Sequence, residues 1–141
     1  MNHYLVMFII MIISGLFTNM NIYVDKFSDI RLSLNDIYMT LLMSGWMLFL
    51  MGVYYKDYNI LYIGLFLIIF NFWAIRTQFM ISMKQYIMSM IPHHSMAIHM
   101  SKKLKEIDNM NQDSNKIKKF LDNIVTNQNN EINLMKNEFV V

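Results

Sequence analysis

Between Met88 and Met100 the chain reads Met-Ser-Met-Ile-Pro-His-His-Ser-Met-Ala-Ile-His-Met, three imidazoles among four thioethers. Wound as a helix at about 100° per residue, His93, Met96 and Met100 fall on one face. Met90 and His99 flank that face, and His94 points about 100° away, one turn after Met90. Neutral imidazole nitrogen and thioether sulfur are the softest donors open to a chain without cysteine. Thioethers favour Cu(I), and by the same reasoning Ag(I), over Mg²⁺ or Ca²⁺. Zinc fits less well, because there is no His-Glu-x-x-His motif and thioether is not among its usual ligands. A di-iron centre of the ferritin type needs Glu-x-x-His pairs, and the sequence has none. Pro92 lacks the backbone donor that would reach Met88, so it either kinks the helix or starts a new one, and it sets where the histidines point.

A second pattern of soft donors lies in an apolar region. Met39, Met43, Met47 and Met51 are spaced by four, and His3, Met7 and Met11 repeat that step. One reading is a ladder that passes soft cations. Packing by an adaptable side chain is the favoured one, and Ser44, Gly45 and Gly52 nearby would admit a closely packed helix.

These donors sit in a chain of 141 residues, 55% hydrophobic and only 16% charged, with 16 methionines and four histidines. The net charge of +2 excludes a strongly basic nucleic-acid binder. The absence of cysteine excludes disulfides and thiolate sites. No Gly-rich phosphate loop, Ser/His/Asp set or pair of catalytic carboxylates is present, so the chain reads as a non-enzyme without an organic cofactor.

Three runs carry almost no ionisable residue: about 4–24, 37–55 and 58–79. Each approaches the roughly 20 residues that cross a bilayer core, and Tyr4, Tyr23, Tyr38, Tyr54, Tyr55, Tyr58 and Trp73 cluster near their ends, as interfacial aromatics do. The first run has no basic start and no small-x-small cleavage site, so it reads as a retained span. The expected architecture is all-α. A three-helix transmembrane region occupies 1–79, followed by a helical hairpin in 80–141 with helices at about 80–106 and 114–139. Asn35 or Asp36 is the expected cap of the second span. The third span is expected to run on into the first hairpin helix as far as a kink at Pro92. A polar stretch, Asp108–Asn115, breaks the hairpin. The second hairpin helix carries Ile117, Phe120, Leu121, Ile124, Gln128, Glu131, Ile132 and Met135 at helical spacing. Such a hairpin offers a small core, so a homodimer or higher oligomer is expected.

Residues Met-Ile-Pro-His-His (90–94), with Met96, Ala97 and Ile98 following, resemble the signature of the ferritin-like "domain of unknown function 305" family. Gln128, Glu131, Ile132 and Met135 match its facing Gln-x-x-Glu-Ile-x-x-Met helix. The resemblance covers about residues 80–139. It implies a helical-bundle domain and, in some members, Cu(I)/Ag(I) binding and copper tolerance. Carried over by position, His93, His94, Met100 and Met135 match the motif, and Gln128 and Glu131 match the facing helix. Met96 and His99 are additional donors.

The sequence thus leads to an integral membrane protein that binds Cu(I) or Ag(I) for buffering, tolerance or transfer to a partner. The alternative is an assembly protein whose hairpin pairs with other helices without metal. A metal-dependent oxidoreductase ranks last. Lys26, Arg31, Arg76 and Lys84 against Lys56 place the hairpin in the cytoplasm. The family resemblance implies the periplasmic or external side, and the two indications stay opposed.

Overall fold

The protein is described here by a computed structural model covering residues 3–107 and 114–139. Those residues form five α-helices and two short 3-10 turns, with no strand. The chain makes two compact units: Met1–Asn19 with Ser33–Ser82, and Met20–Leu32 with Met83–Val141.

The first unit holds α1 (His3–Phe17), α2 (Leu34–Tyr55) and α3 (Tyr58–Thr77). Together with the turn that follows α1, these are three segments long and apolar enough to cross a membrane. The α-helical part of the first segment is shorter than the expected 4–24. It ends at Phe17, where the Ser14 carbonyl accepts from both the Thr18 amide (2.9 Å) and the Thr18 hydroxyl (2.7 Å). At α2 the cap is Ser33, not Asn35 or Asp36. The Asp36 amide reaches back to the Ser33 hydroxyl, and the Asp36 carboxylate accepts from the Ser33 amide at 2.8 Å, forming a capping box. Asp36 therefore serves as the third helical residue, a role that asks for a carboxylate as much as a cap does. Lys56 turns the chain in the left-handed region, and Asp57 caps α3 by accepting from the Asn59 and Ile60 amides.

Helices α2 and α3 meet almost backbone to backbone. A Cβ on Gly64 would stand 2.4 Å from the Phe49 amide nitrogen, and one on Gly52 would stand 2.5 Å from that of Leu61. Backbone atoms cannot swing aside, so only glycine permits this approach. Asn71 is buried, and its amide donates to Leu67 of its own helix at 2.8 Å.

The third span does not continue into the hairpin. It stops at Thr77, and α4 (Met83–Ile107) starts six residues later. Gln78 and Met80 take left-handed conformations, and the Phe79 amide bonds back to the Ala74 carbonyl, so the helix is closed by an αL cap. The Tyr38 hydroxyl holds the Phe79 carbonyl at 2.9 Å. Met80 lies outside both helices, Met80 and Met83 are exposed, and of that apolar spacing only Ile87 is buried. Nor does Pro92 start or end an element: α4 runs through it, and Pro92 is buried.

The second unit packs α4 against α5 (Ser114–Glu138). The polar break expected from Asp108 lies outside the described residues as far as 113. Pairs between His94 and Glu131 and between Lys105 and Asp122 run in opposite sequence directions, so the helices are antiparallel. Ile87, Ile91, Ile98, Ile132 and Met135 form the buried seam, with Met90 and Val125 against it. Of the wide apolar face read from α5, Leu121, Ile132 and Met135 are buried, but Ile117 and Phe120 are exposed. That face is two adjacent stripes, and α4 covers one of them.

Segment 20–32 belongs to this unit, although its first turn, Met20–Tyr23, also completes the first apolar segment. Asp29, 2% exposed, accepts from the Ser95 hydroxyl at 2.6 Å and from the Lys136 ammonium. The Ser95 hydroxyl in turn accepts from the Asp25 amide at 2.9 Å, and Lys102 pairs with the Asp25 carboxylate at 2.7 Å. Burial pushes the Asp29 carboxyl up, but the Lys136 and Ser95 hydrogen bonds and the Lys136 charge outweigh it and leave the group below its ordinary 3.8.

Two outcomes follow from these contacts. Gly64→Leu forces α2 and α3 apart, costs at least the upper part of the about 1–3 kcal/mol typical of overpacking, and lowers the unfolding midpoint in detergent. Asp29→Ala leaves the Lys136 ammonium without its carboxylate and destabilises the second unit by about 3 kcal/mol, read by hydrogen exchange on α4 and α5. Because the folded Asp29 pKa is depressed, its contribution is present above pH about 4 and is lost as pH falls through the lower folded value.

Candidate metal centre

Ser95 faces the 20–32 segment, and this fixes the rotation of α4. His94, about 100° back, turns to α5, and His93, a further 100° back, turns outward. The structure agrees: His93 is exposed and His94 is largely covered. Their rings lie edge to face, 5.8 Å apart.

His94 Nδ1 stands 2.8 Å from Glu131 Oε2. This nitrogen is buried, and the Glu131 carboxylate is its partner across the seam. With residue 94 opposite 131 on antiparallel helices, Met90 stands opposite Met135 one turn away, about 6 Å along the seam. Met90 packs against the cluster that contains Met135, which is 8% exposed. One turn of the seam thus presents two thioethers, an imidazole and a carboxylate, two from each helix.

The remaining donors are placed elsewhere. Met100 is 56% exposed, and Met96 and His99 are half-buried. Met96 and Met100 turn about 160° from the seam direction, so they share the outer face with His93 and not the inner quartet. The face of His93, Met96 and Met100 expected from the spacing thus stays together on the outside, while His94 and the flanking Met90 turn to the seam. Gln128 is half-buried on α5. Among the described residues no three histidine or carboxylate side chains gather into a metal-holding group.

In the first unit, Met39 and Met43 are exposed, and Met47, Met51, Met7 and Met11 are half-buried. The Met43 methyl lies where a Cβ on Gly15 would meet it at 3.0 Å, so that ridge packs toward α1. His3 is exposed beside Tyr4.

Sequence reasoning missed Asp29, Ser95 and Lys136. Their signal is faint: Ser89, Ser95 and Ser101 are short polar residues on a helix otherwise rich in long side chains, and all three are buried. They mark where α4 is covered closely.

Residues 79–139, which hold this hairpin, match the family described as "Domain of unknown function (DUF305)", and the chain belongs to that family. The chain is also similar to "Uncharacterized protein L153" of Acanthamoeba polyphaga mimivirus, 43% identical over 136 residues, or 93% of this chain and 87% of the relative. No solved structure matches.

Burial is the largest influence on His94 and pushes the imidazole below its ordinary 6.5; the Glu131 carboxylate pulls it part of the way back, and His93 adds to the lowering. The neutral ring is favoured, so its lone pair stays available at lower pH than in a free histidine. Stability from this group is complete above about pH 6.5 and is lost as pH falls through the lower folded value. In ring-proton NMR titrations His94 has a midpoint below 6.5, and Glu131→Gln moves it lower still, because the carboxylate is the raising influence. A midpoint that rises in Glu131→Gln contradicts this account of the site.

Proposed function

We propose that this chain is a membrane-anchored Cu(I)- or Ag(I)-binding protein that stores the ion or hands it to a partner without catalysing a reaction. The observation that carries the reading is the inner turn of the seam, where the buried His94 Nδ1 stands 2.8 Å from Glu131 Oε2 with Met90 and Met135 in register one turn away. Two thioethers and a neutral imidazole suit a soft monovalent ion. Glu131 would hold the histidine's orientation or add an oxygen ligand. His93, Met96, His99 and Met100 on or beside the outer face would act as entry or transfer donors. The three apolar segments would hold the hairpin at a bilayer surface.

A second reading, an assembly module, is favoured by the apolar side chains that α4 leaves exposed at Met100, Leu104 and Ile107.

The metal reading is tested with the full chain in detergent, competing a chromogenic Cu(I) chelator against the protein. The parent takes up Cu(I). Met90→Leu with Met135→Leu, which conserves volume, weakens binding by about tenfold or more, as does His94→Ala; Met100→Leu has a smaller effect. If the double methionine variant and His94→Ala compete as well as the parent, the inner quartet is not the site.

A further inference from the structure

The hairpin carries a second heptad pattern beside the one it buries. On α4, Tyr86, Met90, His93, Ala97, Met100 and Leu104 recur at steps of four and three. On α5, Ile117, Phe120, Ile124, Asn127, Glu131 and Leu134 recur at steps of three and four. Most of these side chains are open to solvent: Tyr86 and Leu104 are 48% and 46% exposed, Phe120 and Leu134 62% and 51%. Relative to the seam, the α4 stripe turns by about 120° and the α5 stripe by about 95°. For antiparallel helices the sense of both turns puts the stripes on the same side. Ser95, Lys102 and Lys136, which hold segment 20–32, turn the opposite way. Segment 20–32 thus closes one groove of the hairpin and leaves the other open, apolar and patterned for helices.

We infer that a second copy of this chain fills the open groove, with α4 of each copy antiparallel to α5 of the other in a four-helix bundle. Heptad stripes of this kind bury themselves by interlocking with another helix pair. Polarity selects the pairing. Each stripe is apolar toward its ends and polar at its middle, with His93 on α4 and Asn127 and Glu131 on α5. Residue 94 stands level with 131, so a two-fold axis along the helices brings His93 level with Glu131 of the second copy. That carboxylate lies beside His94, and with its side chain 52% exposed it is accessible to a second imidazole.

A two-fold axis across the helices would stack α4 on α4 and leave the carboxylates without a facing imidazole. It would also set the two α4 N-termini about 36 Å apart at opposite ends, although both follow a span that, on the membrane reading, lies in one bilayer. The pairing needs no metal ion, so it stands or falls apart from the Cu(I) reading.

The chain has no cysteine, so single cysteines report the geometry directly. The full chain in detergent has a dimeric mass by light scattering. Mixing Ala97→Cys with Asn127→Cys under mild oxidation gives the mixed disulfide, and Ala97→Cys alone gives little product. Phe120→Asp, made on the cysteine variants, abolishes most of the cross-link while helix content by circular dichroism is kept, since Phe120 lies outside the buried seam. A monomeric parent overturns the proposal, as does an Ala97→Cys self-link in place of the mixed one, or a Phe120→Asp chain that cross-links like the parent.

Discussion

A carboxylate taken out of water must be repaid in hydrogen bonds and charge, and Asp29 sets the terms for the whole hairpin unit. Even after relaxation a buried ion costs several kcal/mol. Here Lys136 on α5 and Ser95 on α4 meet it together, so one side chain joins a connecting segment to both helices. Ser95 is fully buried and its hydroxyl is used twice, donating to Asp29 and accepting from the Asp25 amide. That leaves α4 one rotation. With Ser95 turned to segment 20–32, His94 must enter the seam and His93 must leave it. The arrangement of the donors is thus a consequence of a contact that contains none of them.

The division of the donors gives the two histidines different chemistry despite their adjacency. His94 is partly desolvated and kept neutral, with a carboxylate at its buried nitrogen. His93 stands in the open, among the outer thioethers. An inner position suits retention of an ion, and an outer one suits its arrival or departure. Met90 lies at the boundary: it packs on the seam cluster and also belongs to the outer heptad stripe.

Much of this architecture is legible in the residues. The apolar runs specify the spans because a chain this poor in charge has few other ways to bury them, and the 3-4 spacing of Ile87, Ile91 and Ile98 specifies the seam. What escapes is carried by single contacts without periodicity. Nothing in the composition of segment 20–32 announces that Asp29 will be buried 66 residues before Ser95 in sequence and 107 before Lys136. The break after Thr77 escapes because hydrophobic spacing does not record the sign of φ, and Gln78 and Met80 are not residues that favour the left-handed region. The spacing sets His93 and His94 about 100° apart, but it does not record the direction of the seam, which tells inside from outside. On α5, Ile117 and Phe120 read as core because two adjacent stripes and one wide stripe have the same spacing.

The long separation between Asp29 and its partners also orders events during synthesis. Chains are made from the N-terminus at roughly 5–20 residues per second, so segment 20–32 exists for several seconds before α5 does. Through that interval the carboxylate lacks Lys136, and for most of it lacks Ser95 as well. Docking of the segment therefore comes late in biogenesis, and it certifies that translation has proceeded past Lys136.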